Sequence, residues 1–237
     1  MRYNLTDKEL GRINLTLSRA NTRIIGKWRS GEVHISAPMG TPLRLINQFI
    51  ENNREWFNQR RPHGPMIPYH IGFTFKCLKC EIRITEQETH PGCLLSESDG
   101  RGTFTIAAYP GIDLNQPHIR KIIRKHVLYY LKHQAEMELI PLAWNVAREY
   151  RLTPKKFKVG SGLQRLGLCS ENGEITLSCA LMMLPPELIR YVVCHELAHL
   201  TQFNHSSAFH ELLNKMLDGR EVELKRQIDA FPWPIDR

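Results

Sequence analysis

The residues with the most chemistry in the chain are His195-Glu196-Leu197-Ala198-His199. On a helix, residues four apart lie one above the other, so both imidazoles can reach one metal ion from one face. Glu196, next to the first His, then stands beside the water such an ion would hold and not on the ion itself. Two His ligands with one carboxylate base are the equipment of a zinc-dependent hydrolase. Zn2+ is therefore the expected cofactor, Glu196 the expected catalytic base, and a peptide or protein the expected substrate.

A catalytic zinc usually takes three protein ligands and keeps a fourth position open. His205, His210 and Glu211 compete for the third place. His205 lies in Asn204-His205-Ser206-Ser207, a stretch that breaks one helix and caps the next through Ser206 or Ser207. A turn there carries His205 back toward the ion, and the following helix holds Phe209, Leu212, Leu213 and Met216. Val192, Val193, Leu197 and Leu200 make the first helix apolar on most sides, as a buried active-site helix is. Tyr191 and Arg165 are the candidates for a further donor to a developing oxyanion.

The scaffold around these residues can be read in chain order. Ile13, Leu15 and Leu17, then Ile24-Ile25, then Val33 and Ile35 alternate as strands do, and Ser30-Gly31 makes a turn; the pattern predicts a small antiparallel meander. Thr41 caps a helix with Pro42 at its first position, and that helix stops near Arg61-Pro62-His63-Gly64-Pro65. Strand patterns resume over 71–75, 81–85 and 103–107. From Pro117 the period becomes helical, with Ile119, Ile123, Val127 and Leu131 on one side and Lys121, Arg124, Lys125 and Lys132 on another, until Pro141 kinks or restarts the helix. Strands come next at 156–159 and 163–170, and Glu171-Asn172-Gly173 signals a hairpin into 174–179. Pro185-Pro186 opens the HExxH helix, and a last helix runs from about Glu221.

The chain has 237 residues, of which 42% are hydrophobic, enough for a sizeable core. A formal net charge of +8 extends the expected partners to nucleic acid or nucleotides through a basic surface. That charge leaves two alternatives to a peptidase: a metal-dependent hydrolase of nucleotide phosphoanhydrides, and a nucleic-acid-associated protein with a structural metal site. No stretch approaches the length of a membrane span, and the expected location is cytoplasmic, with no membrane partner. The six Cys are expected as reduced thiols. Cys77, Cys80, His90 and Cys93 carry the two-residue gaps of a zinc knuckle, but the residues between them read as an ordinary strand, so no second zinc is expected there.

From about Ile13 to Phe231 the order of parts resembles the YgjP-like metallopeptidases, a zincin group related to the SprT-like and WLM proteases. The most specific stretch is Tyr191 to Leu200, followed by Asn204-His205-Ser206 and Phe209. The resemblance implies that His195, His199 and His205 hold the metal and that Glu196 is the base. Upstream, the family shows Arg-Trp-Gly-Ser-Cys-Ser before a Gly-x-Ile-x-Leu-Asn strand; here the segments read Arg165-Leu166-Gly167-Leu168-Cys169-Ser170 and Gly173-Glu174-Ile175-Thr176-Leu177-Ser178. Leu166 and Leu168 depart from the family pattern on the substrate side and leave the metal site intact. The expected fold is α+β: a β-rich N-terminal module with one helix over 1–112, then a zincin-like metallopeptidase core over 113–237 that carries the HExxH helix.

Overall fold

The computed structural model describes residues 1–29, 32–59, 67–88, 90, 92–163 and 165–235. The chain forms two compact units, Met1–Met66 with Arg237, and Ile67–Asp236. The fold is α+β, with mixed sheets and helices in both units.

The first unit is a four-stranded sheet, β1 (Arg2–Asp7), β2 (Gly11–Ser18), β3 (Ile25–Arg29) and β4 (Glu32–Pro38), in the order β1-β2-β4-β3. Alternation sends Ile13 and Leu15 of β2, and Val33, Ile35 and Ala37 of β4, to one face. That face is buried with Ile46 and Ile50 of α1 (Leu43–Asn52) and Phe57 of α2 (Arg54–Gln59). The expected antiparallel meander is not what forms, because β2 and β4 pair in parallel and β3 lies at the edge. Alternation decides which face of a strand is buried and is silent on its neighbour. The helix also begins one residue later than expected: Pro42 occupies the cap position, and the Thr41 hydroxyl donates to the Pro38 carbonyl at 2.8 Å. The turn expected at Ser30-Gly31 and the helix stop expected at Arg61 to Pro65 lie outside the described residues.

The second unit opens with the same strand plan. β5 (Thr74–Cys77), β6 (Cys80–Glu86), β7 (Leu94–Ser98) and β8 (Thr103–Ala108) are ordered β5-β6-β8-β7, again with the central pair parallel. Phe104 to Gly111 takes the place that Val33 to Gly40 has in the first sheet. Both segments end in a glycine with positive φ, 84° at Gly40 and 81° at Gly111, and both lead into a helix. Here that helix is α3 (Pro117–Glu149), of 33 residues. Its Ile123, Val127, Leu131 and Ala135 share one core with Ile82, Ile84, Phe104 and Ile106 of the sheet.

That shared core explains why the units divide near residue 66 and not at 112: the strands after Thr74 bury their apolar residues in one cluster with α3, and so belong to the C-terminal unit. Pro141 neither breaks α3 nor restarts it. It lies on the solvent side, as does Met137, whose carbonyl loses its partner, so water can replace the missing bond. Further along, Leu139, Ala143 and Val146 join the same core as Phe157 of β9 (Lys156–Gly160) and Ile175 and Leu177 of β11 (Glu174–Ser178). These two strands run parallel, and β10 (Gly167–Cys169), shorter than the strand expected over 163–170, forms the antiparallel edge of a sheet ordered β10-β11-β9. A 3-10 turn, Cys179–Met183, leads to α4 (Pro186–Ala198), α5 (Ser207–Met216) and α6 (Glu221–Asp229). Among the described residues, no helix is long and apolar enough to cross a membrane.

In the first unit, Asp7 ties the β1–β2 turn to α2. Its Oδ1 accepts the backbone N–H groups of Glu9 and Leu10 at 2.9 Å each, and Arg54 donates to both carboxylate oxygens at 3.0 Å. The Arg54 hydrogen bonds, followed by the two backbone donors, hold the Asp7 carboxyl well below the usual carboxylate range. A depressed folded-state pKa contributes stability that is present above the unfolded value of about 3.9 and is lost as pH falls through the folded value. Asp7→Asn should therefore lower stability by about 1–3 kcal/mol at neutral pH. In urea unfolding the gap from the parent chain should narrow as pH drops below about 4; a gap independent of pH would show that the charge is not the cause.

Candidate metal centre

The HExxH residues stand at the C-terminal end of α4, a helix buried along most of its length by Leu188, Ile189, Val193, Cys194, Leu197 and Ala198. His195 lies in the last turn, His199 is the residue that ends the helix, and Glu196 is 6% exposed. Beyond His199 the chain turns through Gln202, whose N–H returns to the Ala198 carbonyl at 3.0 Å. α5 then starts after Ser206, whose Oγ accepts from the Phe209 N–H at 3.4 Å. The cap that the sequence suggested is thus formed, by Ser206 and not Ser207, and it sets His205 immediately before α5.

The three imidazoles converge. One ligand atom from each of His195, His199 and His205 lies within 4.8 Å of the others, and the Nε2 atoms of His195 and His205 are 3.1 Å apart. His199 Nδ1 is 3.0 Å from the Gln202 carbonyl, which can only accept, so Nδ1 carries the proton and Nε2 keeps a free lone pair. A tetrahedral zinc with bonds of about 2.0–2.1 Å spaces its nitrogen ligands roughly 3.3 Å apart. The residues therefore fit such an ion, since facing nitrogens at 3.1 Å repel one another unless a cation or proton lies between them. Burial first, then the neighbouring His199 and His205, push the His195 imidazole down to about 4, which keeps it neutral as a ligand must be. Phe209 is fully buried, and its ring centroid is 4.7–5.0 Å from all three imidazole centroids, closing one face of the triangle with an apolar wall.

The rivals for the third position lie elsewhere. His210 Nδ1 is 2.6 Å from Glu221 Oε1, and Glu221 is buried and further held by Asn214 Nδ2 at 3.0 Å. Glu211 is exposed on α5 and outside the triad. Among the described residues this triad is the one group of three or more ligating side chains close enough to share an ion. Cys77 and Cys80 face one another across the β5–β6 hairpin, whereas Cys93 immediately precedes β7 at the opposite end of that sheet, near the Ala108 end of β8.

Residues 22–230 match the family model described as YgjP-like, metallopeptidase domain. The chain belongs to that family. No curated protein and no solved structure matches it. A YgjP-like chain is a metallopeptidase in the general sense, and its three converging imidazoles are compatible with the metal that this requires.

One feature of this YgjP-like site escapes the motif. Glu196 lies so close to Gly167 of β10 that a Cβ there would fall 2.4 Å from Oε1 and 2.5 Å from Cγ. Any side chain at 167 would displace the carboxylate. Burial pushes the Glu196 carboxyl up to about 7, opposed by a hydrogen bond from the Cys169 backbone and by the charge of Arg165. Arg165 is exposed, while Tyr191 is buried with its ring 6.1 Å from that of His195. The retained Gly of the 165–170 segment was a visible signal, but its partner lies far along the chain and only the fold shows it.

Gly167→Ala should destabilise the chain by about 1–3 kcal/mol through overpacking. In a Glu196→Ala background, where the space is free, most of that cost should disappear. Equal costs in the two backgrounds, measured as urea-unfolding free energies, would show that the contact with Glu196 is not what keeps a glycine there.

Proposed function

We propose that the chain is a zinc peptidase in which His195, His199 and His205 hold the ion and Glu196 is the general base. The observation that carries this reading is the convergence of three imidazoles at the end of the helix that also carries the buried Glu196. Bound there, zinc supplies a Lewis acid for the scissile carbonyl and lowers the pKa of a water toward about 7. Glu196 takes the proton of the attacking water on a carboxylate oxygen and delivers it to the leaving amine nitrogen. Gly167 leaves room for that carboxylate, and the Cys169 backbone holds it by a hydrogen bond.

β10 is an edge strand of its sheet and carries Gly167 against Glu196, which supports a substrate bound in extended form along that edge. Such pairing reads main-chain hydrogen bonds first and side chains second. The exposed Leu168 then replaces a polar contact with an apolar one on the substrate side.

Purified protein should carry one zinc per chain by elemental analysis. His205→Ala should lose most of it, and His210→Ala should keep it. Glu196→Gln should retain the metal while cleavage of a mixed peptide library falls by roughly 10²–10⁴. Near-normal cleavage by the metal-loaded Glu196→Gln protein would exclude the assigned base. Metal lost from His210→Ala and kept in His205→Ala would move the third ligand.

A further inference from the structure

We propose that the solvent face of α3 binds single-stranded nucleic acid. No acidic residue occurs between Asp113 and Glu136, a stretch that includes the first half of this helix. Lys121, Lys125 and Lys132 are all exposed. At about 100° per residue they fall within a sector of roughly 40°, on the side opposite the buried Ile119, Ile123 and Val127. None of the ion pairs among the described residues engages these lysines. They lie eleven residue steps apart from first to last, about 16 Å at 1.5 Å per residue, enough to follow several phosphates.

Beside the lysines, on the same side of the helix, stand two apolar side chains the core does not use. Tyr129 is 82% exposed and Ile122 is 38% exposed. They are seven residues apart and so lie on one line along the helix. Cations in a row next to an exposed aromatic ring form the pattern that holds a phosphate backbone and stacks an unpaired base. A duplex offers the same phosphates but keeps its base faces closed, so it has no use for Tyr129. Helices that lie on a lipid surface present a broad stripe of Trp, Phe or Leu toward the acyl chains. In α3 the broad apolar stripe is already turned inward to the protein core.

The inference does not depend on the metal site, so the test is run with EDTA present. Fluorescence anisotropy of a labelled oligo(dT) of about 15 nucleotides should show binding at low salt, with a log K against log salt slope of about −2 for three neutralised phosphates. Replacing Lys121, Lys125 and Lys132 together by Gln should weaken binding at least tenfold and bring the slope toward zero. Tyr129→Ala should weaken it by roughly tenfold, and Tyr129→Phe should restore it. Lys215→Gln, at another exposed lysine on α5, should change nothing, and the Tyr129 pair keeps the test decisive if the triple variant fails to fold. The proposal is overturned by absence of binding at low salt, by indifference to these substitutions, or by equal binding of a duplex without dependence on Tyr129. Cosedimentation with phosphatidylserine vesicles in place of oligo(dT) binding would assign the face to a lipid surface instead.

Discussion

A carboxylate buried among apolar side chains is the constraint to which the rest of the site answers. Placing Glu196 there costs several kcal/mol unless its surroundings are fixed and partly polar. Two fixed elements meet that need: the α4 backbone, locked on most sides by core residues, and β10, which brings the Cys169 N–H and the bare Cα of Gly167 against the side chain. If either element shifted, the carboxylate would reach water and lose its raised pKa. The packing of α3, the β10-β11-β9 sheet and α4 into one shared core is the frame that prevents this.

The second and third imidazoles of the triad are set by different means. His199 is oriented by a carbonyl three residues on, within its own turn. His205 depends on the cap of the next helix, and through it on Phe209, whose buried ring joins α5 to the triad. A cap worth about 1 kcal/mol therefore controls a residue whose displacement would open the whole site.

Much of this was legible in the residues. The HExxH spacing, the Ser cap, the Pro185-Pro186 start of α4 and the Asn172-Gly173 hairpin are local, and each is formed where local chemistry points. What escaped was non-local. The parallel pairing of β2 with β4, and the allegiance of β5 to β8 with α3, depend on which surfaces meet, and alternation alone cannot say that. β7 gives no apolar rhythm, and in β1 the alternation of Tyr3 and Leu5 is short and lies on a largely exposed strand. Pro141 misled because its effect depends on whether the freed carbonyl meets water. Gly167 belonged to a motif, but the reason for it lies on another element.

The spacing of the triad has a thermodynamic consequence. His195, His199 and His205 succeed one another within the end of α4 and the turn that leads to α5, so an ion there closes only short loops. The entropy lost on closing such loops is small, and most of it is already spent by the cap and the turn. A metal that joins distant segments lends its binding energy to the fold; one held by near neighbours in an ordered frame keeps that energy for its own retention. The metal-free chain should hence keep its global fold, so that loading with metal comes after folding and is not a condition for it.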